Sequence, residues 1–339
     1  MSRIFVHGLG AVSPAGWGVP ALSAALEKNM PLPTQTLARP GWEKPLRFRA
    51  VPSLPKQPAF LAHPRLRRAS AMAQHTVAAA LEALGDDAAR VQSGELRLAI
   101  AVCMLAGSVT YSRRFYEEVL KDPATASPLI FPETVFNAPA SHLAAFLGTT
   151  AINYTLVGDD GTFLQGLALA ANWLDDGRAD ACVVVGVEDV DWIVADALRL
   201  FHSGAVHSGG AGAVCLKKDS APVELAAITD SFLITREQSR AEAAHRLRAQ
   251  LAAGAKNELL CDSATGGTAW RDWPGQRFAP KAVLGEAFLA TAAWHCVAAC
   301  DAVRRGKFAA ATVSILGANE QAIGARFVSH PGGAAPAVS

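Results

Sequence analysis

The sequence comprises 339 residues, of which 51% are hydrophobic and 18% charged, and its formal net charge is +1. This length allows two domains or one large α/β unit, and the balanced charge excludes a basic field of the kind that attracts nucleic acid. No apolar run reaches the ~20 residues needed to cross a bilayer. The first residues lead directly into a strand, so we expect a cytoplasmic protein without a signal peptide.

In chain order, the first predicted elements alternate between strands and helices. We predict a strand at Ile4–Gly8, a helix at 19–28, a helix at Ser70–Leu84 and a strand at 96–104. Residues 30–60 contain many prolines and little periodicity, which indicates an irregular excursion over the surface.

The middle of the chain contains the most informative segment. A loop becomes a helix over residues 127–148, and INYTLV at 152–157 predicts a strand. Residues 157–189 then predict a strand end, a tight turn, a helix and a buried strand. Asp160 opens that helix, where the backbone dipole concentrates about half a positive charge and favours an anion or a nucleophile.

The second half of the chain repeats this pattern. A strand is predicted at 223–233 and a strand running into a loop at 259–266, and residues 285–320 predict a helix, a turn and a buried strand. The repeat of roughly 125 residues is too long for a solenoid. It predicts one compact unit of two related α/β halves, residues 1–218 and 219–339, with helices on both faces of buried strands.

The six cysteines are scattered without the C-x-x-C spacing of a metal or redox site. Cys182 and Cys215 lie in apolar runs, which predicts buried free thiols. Cys296 and Cys300 share one helical face, but further metal ligands do not follow nearby in the sequence. The sequence therefore indicates no metal and no organic cofactor.

These motifs resemble those of the β-ketoacyl synthase branch of the thiolase fold, over nearly the whole chain. GLGAVSPAGWGVPALSAAL resembles the family's first strand and helix, and GAVHSGGAGAVCLKK its glycine-rich strand. The ungapped register from Asp160 through ADACVVVGVED makes Asp160 the counterpart of the catalytic cysteine. CDSATGGT has Ser263 in place of the first histidine, and KAVLGE keeps Lys281 but has Glu286 in place of the second. The resemblance implies a five-layered αβαβα architecture.

The resemblance also implies that the family's chemistry is missing. A condensing enzyme needs a thiolate to hold the acyl chain and two imidazoles to assist decarboxylation, and all three positions are substituted here. Two carboxylates would also repel a malonyl carboxylate. We expect the remaining histidines in helices or beside a turn to be structural or surface residues: His142, His202, His207 and His295.

Asp160 has three interpretations in the sequence. It caps the helix by accepting backbone N–H groups, a role that Asp159 fills equally well. Alternatively it binds a cation or a polar acyl end in a pocket, or it acts as an acid or base in another reaction. Glu286 is a candidate cap for the second-half helix, and we predict a partly buried ion pair between Lys281 and Glu286.

The resemblance places a subunit interface in the first half of the chain. It assigns the strand at 152–157 to pairing across a two-fold-related partner, and the preceding segment to the partner's acyl tunnel. The predicted interface and tunnel residues are Phe131, Val135, Phe136, Asn137, Ile152, Tyr154 and Leu156. The alternative is that the aromatic side chains fill this chain's own core.

A synthase-like chain with every catalytic residue substituted resembles a chain length factor, the inactive partner of a ketosynthase. We therefore predict a non-catalytic subunit that pairs with an active β-ketoacyl synthase to shape the acyl tunnel in polyketide, aryl polyene or fatty acid biosynthesis. An acyl carrier protein is the further partner, and Arg65–Arg68 is either its docking patch or a solvated helix start. The alternatives are an acyl-thioester hydrolase or transferase that uses Asp160 and Glu286, and a homodimeric acyl-binding protein.

Overall fold

A computed structural model of the chain describes residues 2–202, 204–251, 256–262, 268–317 and 321–331. The strands are β1 (Phe5–Ser13), β2 (Gly16–Trp17), β3 (Gln35–Leu37), β4 (Leu46–Arg49), β5 (Leu98–Met104), β6 (Asn153–Val157), β7 (Ala181–Glu188), β8 (His207–Ser208), β9 (Gly210–Lys217), β10 (Val223–Ile228), β11 (Phe232–Leu233), β12 (Glu258–Asp262), β13 (Gln276–Phe278), β14 (Ala310–Leu316) and β15 (Gln321–Ser329).

The α-helices are α1 (Val19–Lys28), α2 (Ala71–Leu84), α3 (Asp87–Gln92), α4 (Val109–Lys121), α5 (Ala138–Leu147), α6 (Thr162–Asp175), α7 (Trp192–Phe201), α8 (Arg240–Gln250), α9 (Pro280–Leu284) and α10 (Phe288–Arg304). Short 3₁₀ helices lie at Ala59–Ala62, Phe131–Glu133 and Thr268–Trp270.

The main sheet consists of two halves with the same strand pattern. Its order is β13-β12-β14-β15-β10 in one half, followed by β1-β9-β7-β5-β6 in the other. In each half, the three outermost strands are parallel and the two inner strands pair antiparallel. A short antiparallel contact between β1 and β10 joins the halves. The predicted repeat of two related α/β halves is therefore confirmed, while a boundary at residue 218 stays a prediction.

Helices form a layer between the two halves of the sheet and a layer outside each half. α6 and α10 contact strands of both halves and therefore lie between them, together with α1, which packs against α10. α2 and α5 cover the outer face of the first half, and α8 covers that of the second half. Three clusters of buried apolar side chains fill the spaces between these layers. The five-layered αβαβα architecture is confirmed.

α10 is the central helix of the molecule. Every residue from Phe288 to Val303 is buried, as expected for a helix that is apolar on all sides. β7 crosses it at Gly186, where an added Cβ would lie 2.2 Å from the carbonyl oxygen of Leu289. This glycine lets the strand approach the first turn of α10 closely, so the start of α10 is fixed against the end of β7.

Most predicted elements are confirmed, with changes at their ends. The predicted helix at 19–28 coincides with α1, and Ser70 caps α2 by accepting the N–H of Ala73. The prediction of an irregular excursion at 30–60 is wrong in part, because β3 and β4 form a small sheet with β8. β8 comes from much later in the chain, and local periodicity carries no signal for such a pairing.

Candidate functional site

Lys281 lies between two carboxylates from different parts of the chain. Its Nζ is 2.7 Å from Asp160 Oδ2 and 2.5 Å from Glu286 Oε2. The Asp160 side chain is 1% exposed, and those of Lys281 and Glu286 are 18% and 12% exposed. We call these three residues the ion cluster. The predicted, partly buried pair between Lys281 and Glu286 is confirmed.

The turn before α6 brings Asp160 into the ion cluster. β6 ends at Val157 and α6 begins at Thr162, so Asp160 lies where the sequence predicts it. The carboxylate of Asp159, however, accepts the N–H of Gly161 at 3.1 Å, while that of Asp160 binds Lys281. The capping interpretation of Asp160 is wrong, because the ammonium group of Lys281 is the partner of its carboxylate.

Gln321 secures the same turn from the other half of the chain. Its Nε2 donates to Asp159 Oδ1 at 2.8 Å. Its Oε1 accepts from Gln165 Nε2 at 3.0 Å and from the hydroxyl of Ser231. A Cβ on Gly161 would lie 2.8 Å from the Gln321 side chain, so glycine at this position leaves room for these contacts. The start of α6 is thereby tied to the start of β15.

Glu286 holds a strained turn at the start of α10. Its Oε1 accepts the N–H of Phe288 at 2.9 Å. Phe288 has a φ of +43°, a left-handed conformation that is uncommon for a bulky residue. The backbone of Glu286 is fixed as well, since its N–H donates to Val206 and its carbonyl accepts from Ser208, both at 2.8 Å. Glu286 therefore satisfies an N–H group at the start of α10, as predicted, in addition to pairing with Lys281.

Burial and the charges of neighbouring groups have opposite effects on the pKa values of Lys281 and Glu286 in the ion cluster. Burial lowers the pKa of Lys281, but Asp160 and Glu286 outweigh burial and raise this pKa above its ordinary value. Burial raises the pKa of Glu286, an effect that Lys281 opposes and Asp160 reinforces. Among the described residues, Asp160 Oδ1 has no hydrogen-bond partner. Lys281 therefore remains an ammonium ion that neutralises neighbouring carboxylates, and it is not available as a base.

Glu188, another buried carboxyl group beside the ion cluster, was not identified from the sequence. It is the last residue of β7, is 1% exposed, and accepts the N–H groups of Leu105 and Ala106. Burial raises the pKa of Glu188 to about 8, and the negative charges of Asp160 and Asp189 add to this effect. An acid at the end of the apolar run VVVGVED was the sequence signal for this group.

A family model, that of the β-ketoacyl synthase N-terminal domain, matches residues 1–221 of this sequence. The chain belongs to the β-ketoacyl synthase family. A search of curated protein sequences finds no match.

Solved structures show how far the β-ketoacyl synthase fold extends along the chain. The AntDE:AntF structure, a type II polyketide synthase acyl-carrier protein in complex with its ketosynthase bound to the hexaketide, includes a similar chain. The two chains superimpose with a TM-score of 0.77 and are 15% identical in sequence. The match covers 97% of this chain and 99% of that chain.

Two further structures give the same result. The ishigamide ketosynthase/chain length factor has a TM-score of 0.74 at 18% identity, over 96% of this chain and 99% of that one. A β-ketoacyl synthase from Burkholderia phymatum STM815 has a TM-score of 0.77 and 14% sequence identity, and the match covers 97% of this chain and 100% of that chain. The chain thus has the thiolase-like ketosynthase fold throughout its described length.

In this member of the β-ketoacyl synthase family, one of the histidines lies against the ion cluster. His207 is buried, with Nδ1 3.1 Å from the carbonyl oxygen of Glu286 and Nε2 3.2 Å from that of Asp189. Burial lowers the pKa of His207 to about 4, so the ring is neutral at pH 7. It is a structural residue, as predicted, but the sequence did not place it beside Glu286.

The other three histidines that the sequence predicts to be structural or surface residues are His142, His202 and His295. His295 is fully buried in α10 and its Nδ1 lies 2.7 Å from the carbonyl oxygen of Thr291. His142 Nε2 lies 2.6 Å from Glu133 Oε1. His202 is exposed, and burial lowers its pKa, with a further decrease from the charge of Lys281. None of the three contacts the carboxylates of the ion cluster.

The predicted tunnel segment lies on the surface. The exposed fractions of Phe131, Val135 and Phe136 are 53%, 38% and 44%, so the alternative that they fill this chain's core is wrong. Asn137 is exposed as well. The position of Ser263, predicted to replace a catalytic histidine, lies outside the described residues.

The predicted interface strand is β6, at the edge of the main sheet. Tyr154 is 48% exposed and its ring packs on that of Trp173, with 5.2 Å between centroids. Ile152 and Leu156 are half-buried against the central core. The strand therefore presents one apolar side to the core and leaves an apolar ring at the surface.

The six cysteines are free and buried, which confirms the prediction for Cys182 and Cys215. Burial raises the pKa of Cys182 and of Cys215 to about 12, so these thiols are poor nucleophiles. Within the described ranges, no group of three or more His, Cys, Asp or Glu side chains is arranged to hold a metal ion. A helix long and apolar enough to cross a membrane is likewise absent from these ranges.

Proposed function

We propose that this chain is a non-catalytic subunit of the chain-length-factor type. It pairs with an active β-ketoacyl synthase and shapes the acyl tunnel in polyketide, aryl polyene or fatty acid biosynthesis. The observation that carries this proposal is the ion cluster, in which the Lys281 ammonium group is held between Asp160 and Glu286. By the family resemblance, these carboxylates occupy the places of the nucleophilic cysteine and of a histidine.

The chemistry of the ion cluster argues against condensation by this chain. Asp160 offers a carboxylate that is already paired with Lys281, where acyl transfer of the family's kind needs a thiolate. The cysteines are buried elsewhere and cannot substitute for it. A malonyl carboxylate would meet Asp160 and Glu286, whose like charge opposes its binding.

The exposed apolar surface supports a protein partner. β6 is an edge strand, and a strand with unpaired N–H and C=O groups is a template for pairing with another chain. Phe131, Phe136 and Val157 are exposed apolar side chains as well. Exposed apolar side chains of this kind are typical of protein interaction sites, and obligate interfaces are large and apolar. The ishigamide ketosynthase/chain length factor, a structural neighbour, is named for such a pair.

A carrier protein is the proposed further partner. Arg65, Arg67 and Arg68 are exposed around the buried Leu66 and form a local concentration of positive charge. Such a patch suits an acidic protein surface. The similarity to AntDE:AntF, which contains an acyl-carrier protein and its ketosynthase, supports this partner class.

Co-expression tests the proposal directly. We would co-express this chain with a ketosynthase encoded beside its gene and measure the native mass of the purified protein. A stable one-to-one complex is the expected result. If the chain instead purifies as a homodimer without the synthase, the proposal is wrong and the homodimeric acyl-binding protein is favoured.

The Asp160→Asn variant separates this proposal from the enzymatic alternative, an acyl-thioester hydrolase or transferase that uses Asp160 and Glu286. The pKa of Glu286, which burial raises, is the observation that favours this alternative, because a raised pKa suits a carboxyl group to general acid catalysis. If the chain is a non-catalytic subunit, the complex formed by the Asp160→Asn variant still supports synthesis by its partner. Collapse of a thioester-cleaving activity in the purified variant would instead support the enzyme.

A further inference from the structure

α4 is held to the molecule by an unusual set of contacts. None of its residues from Val109 to Lys121 is buried. Helices in proteins derive most of their stability from packing of an apolar face, so a helix without buried residues depends on the few contacts that it has. Polar contacts of its side chains join it to the rest of the chain: Ser112 donates to the carbonyl oxygen of Thr134, Glu118 accepts the N–H of Ser127, and Thr110 and Arg113 contact Asp191. Asp191 lies in the connection between β7 and α7.

The carboxylate of Asp191 accepts hydrogen bonds from two helices, α7 and α4. Its Oδ1 accepts the N–H of Ile193 at 2.9 Å and caps α7. Its Oδ2 accepts from Arg113 Nη2 at 3.1 Å and lies 3.3 Å from Thr110 Oγ1. The Asp191 side chain is 4% exposed, whereas that of Arg113 is 30% exposed. This ion pair is therefore shielded on one side from water, and it connects α4 to the segment between β7 and α7.

α4 in turn contacts the proposed tunnel segment. The ring of Phe115 packs against that of Phe131, with 5.4 Å between centroids. The turn before α4 contacts the second aromatic residue, since a Cβ on Gly107 would lie 2.8 Å from Phe136 Cε1. Gly107 has a φ of +67°, a conformation that favours glycine, and a larger residue at this position would displace the ring of Phe136.

We propose that Arg113 and Asp191 are positioning residues for product length. They do not touch the acyl chain; through α4 they fix the two exposed aromatic rings, Phe131 and Phe136, that project toward the partner's tunnel. This inference rests on the proposed function. Its structural part, that the pair holds α4, is independent of any partner and is measured on this chain alone.

Hydrogen exchange of the isolated chain tests the structural part. In Arg113→Met and in Asp191→Asn, the amides of residues 109–121 are expected to exchange about tenfold faster or more, the effect of losing a hydrogen bond between charged groups. Asn is as good a helix cap as Asp, so Asp191→Asn keeps α7 capped. Arg113→Lys keeps the charge and is expected to restore most of the protection.

Arg114→Met is the matched control. Arg114 is the next residue of the same helix, and its side chain is 63% exposed and pairs only at 3.6 Å with Glu118. Its replacement is expected to leave the exchange of α4 unchanged. Equal exchange in Arg113→Met and Arg114→Met would overturn the proposal, because the pair with Asp191 would then not hold the helix.

Product analysis of the complex with the active synthase tests the functional part. Arg113→Met and Asp191→Asn are expected to broaden the distribution of product lengths in the same direction as Phe131→Ala, with Arg114→Met unchanged. A loosened α4 with unchanged products would overturn the assignment of product length to this pair. If the wild-type chain forms no complex, the proposed function fails and the product-length role fails with it, whereas the exchange result still decides whether the pair holds α4.

Discussion

Lys281 and Asp160 are separated by 121 residues in sequence and come from different halves of the fold, yet Nζ and Oδ2 lie 2.7 Å apart. Asp160 precedes α6 and Lys281 lies in α9, just before α10. Their contact connects the starts of α6 and α10, two helices of the central layer. The proposed function places this charge pair where an active member of the family would hold its substrate.

The first prediction concerns the stability of this cluster. Lys281→Met leaves the buried carboxylates of Asp160 and Glu286 without their counter-ion and is expected to lower the free energy of unfolding by about 3–5 kcal/mol. Urea denaturation measures the change. Neutralising the acids as well, in Lys281→Met/Asp160→Asn/Glu286→Gln, is expected to restore much of the loss.

A surface lysine provides the control for this experiment. Lys307 pairs with Glu27, and both side chains are well exposed at 42% and 37%. Lys307→Met is expected to change the free energy of unfolding by no more than about 1 kcal/mol. Equal effects at positions 281 and 307 would contradict the buried electrostatic role of Lys281.

The elements around the ion cluster were predictable because their signals are local. The sequence from Val157 to Glu188 predicts strand, turn, helix and strand in the order that the structure has them. Lys281 and Glu286 are five residues apart across a short helix and a glycine, so their pairing was predictable as well. Periodicity and nearby opposite charges are sufficient for such features.

The long-range contacts were not predictable from one sequence. Capping is one of the three interpretations of Asp160 because Asp at a helix start commonly caps, whereas the cation that pairs with it comes from a distant segment. The position of His207 against Glu286 and the pairing of β4 with β8 likewise depend on how the two halves pack. Burial at the meeting point of distant elements, not any local pattern, determines the pKa of Glu188.

The second prediction concerns the electrostatic field at the start of α6, which the pKa of the thiol in an Asp160→Cys variant measures. A thiol there lies beside Lys281 and at the positive end of the helix dipole, so we expect a pKa of about 3.5–7.5. Ultraviolet absorbance of the thiolate measures this value over the background of the buried native cysteines.

Asp176→Cys is the control for this thiol, since Asp176 follows the last residue of the same helix and is exposed. The negative end of the dipole disfavours a thiolate at that position. A thiol at position 160 that titrates at or above the pH of the one at 176 would show that the ion cluster provides no positive field at this position.

The third prediction concerns pH. Burial raises the pKa of Glu188 from 4.5 to about 8 in the folded state, so the folded protein binds this proton more tightly than the unfolded chain. The contribution of this group to stability is fully present below pH 4.5 and is lost as the pH rises toward 8, by about 1.4 kcal/mol per pH unit at most. Glu188→Gln is expected to remove that slope.

Urea denaturation at several pH values between 5 and 8 measures the difference between wild type and Glu188→Gln. Glu237→Gln, at an exposed position, controls for a general effect of losing a carboxylate. Parallel pH curves for wild type and Glu188→Gln would show that Glu188 is ionised in the folded protein throughout this range.

The fourth prediction concerns the tunnel. In the complex with an active synthase, a series of larger and smaller side chains at Phe131 or Phe136 is expected to change product length without changing complex formation. Both residues are exposed in the isolated chain, so their replacement leaves the core intact. Mass spectrometry of the products and native mass measurement of the complex give the two readouts. Fixed product length across the series would exclude these residues from the tunnel's end.

The edge strand β6 has a practical consequence for anyone producing the protein. It pairs with β5 and with no other strand among the residues that the structure describes, and it exposes Tyr154 and Val157. Uncovered strands with apolar side chains recruit one another and drive aggregation. Insolubility of the chain expressed alone, relieved by a partner made in the same cell, is therefore the behaviour to plan for.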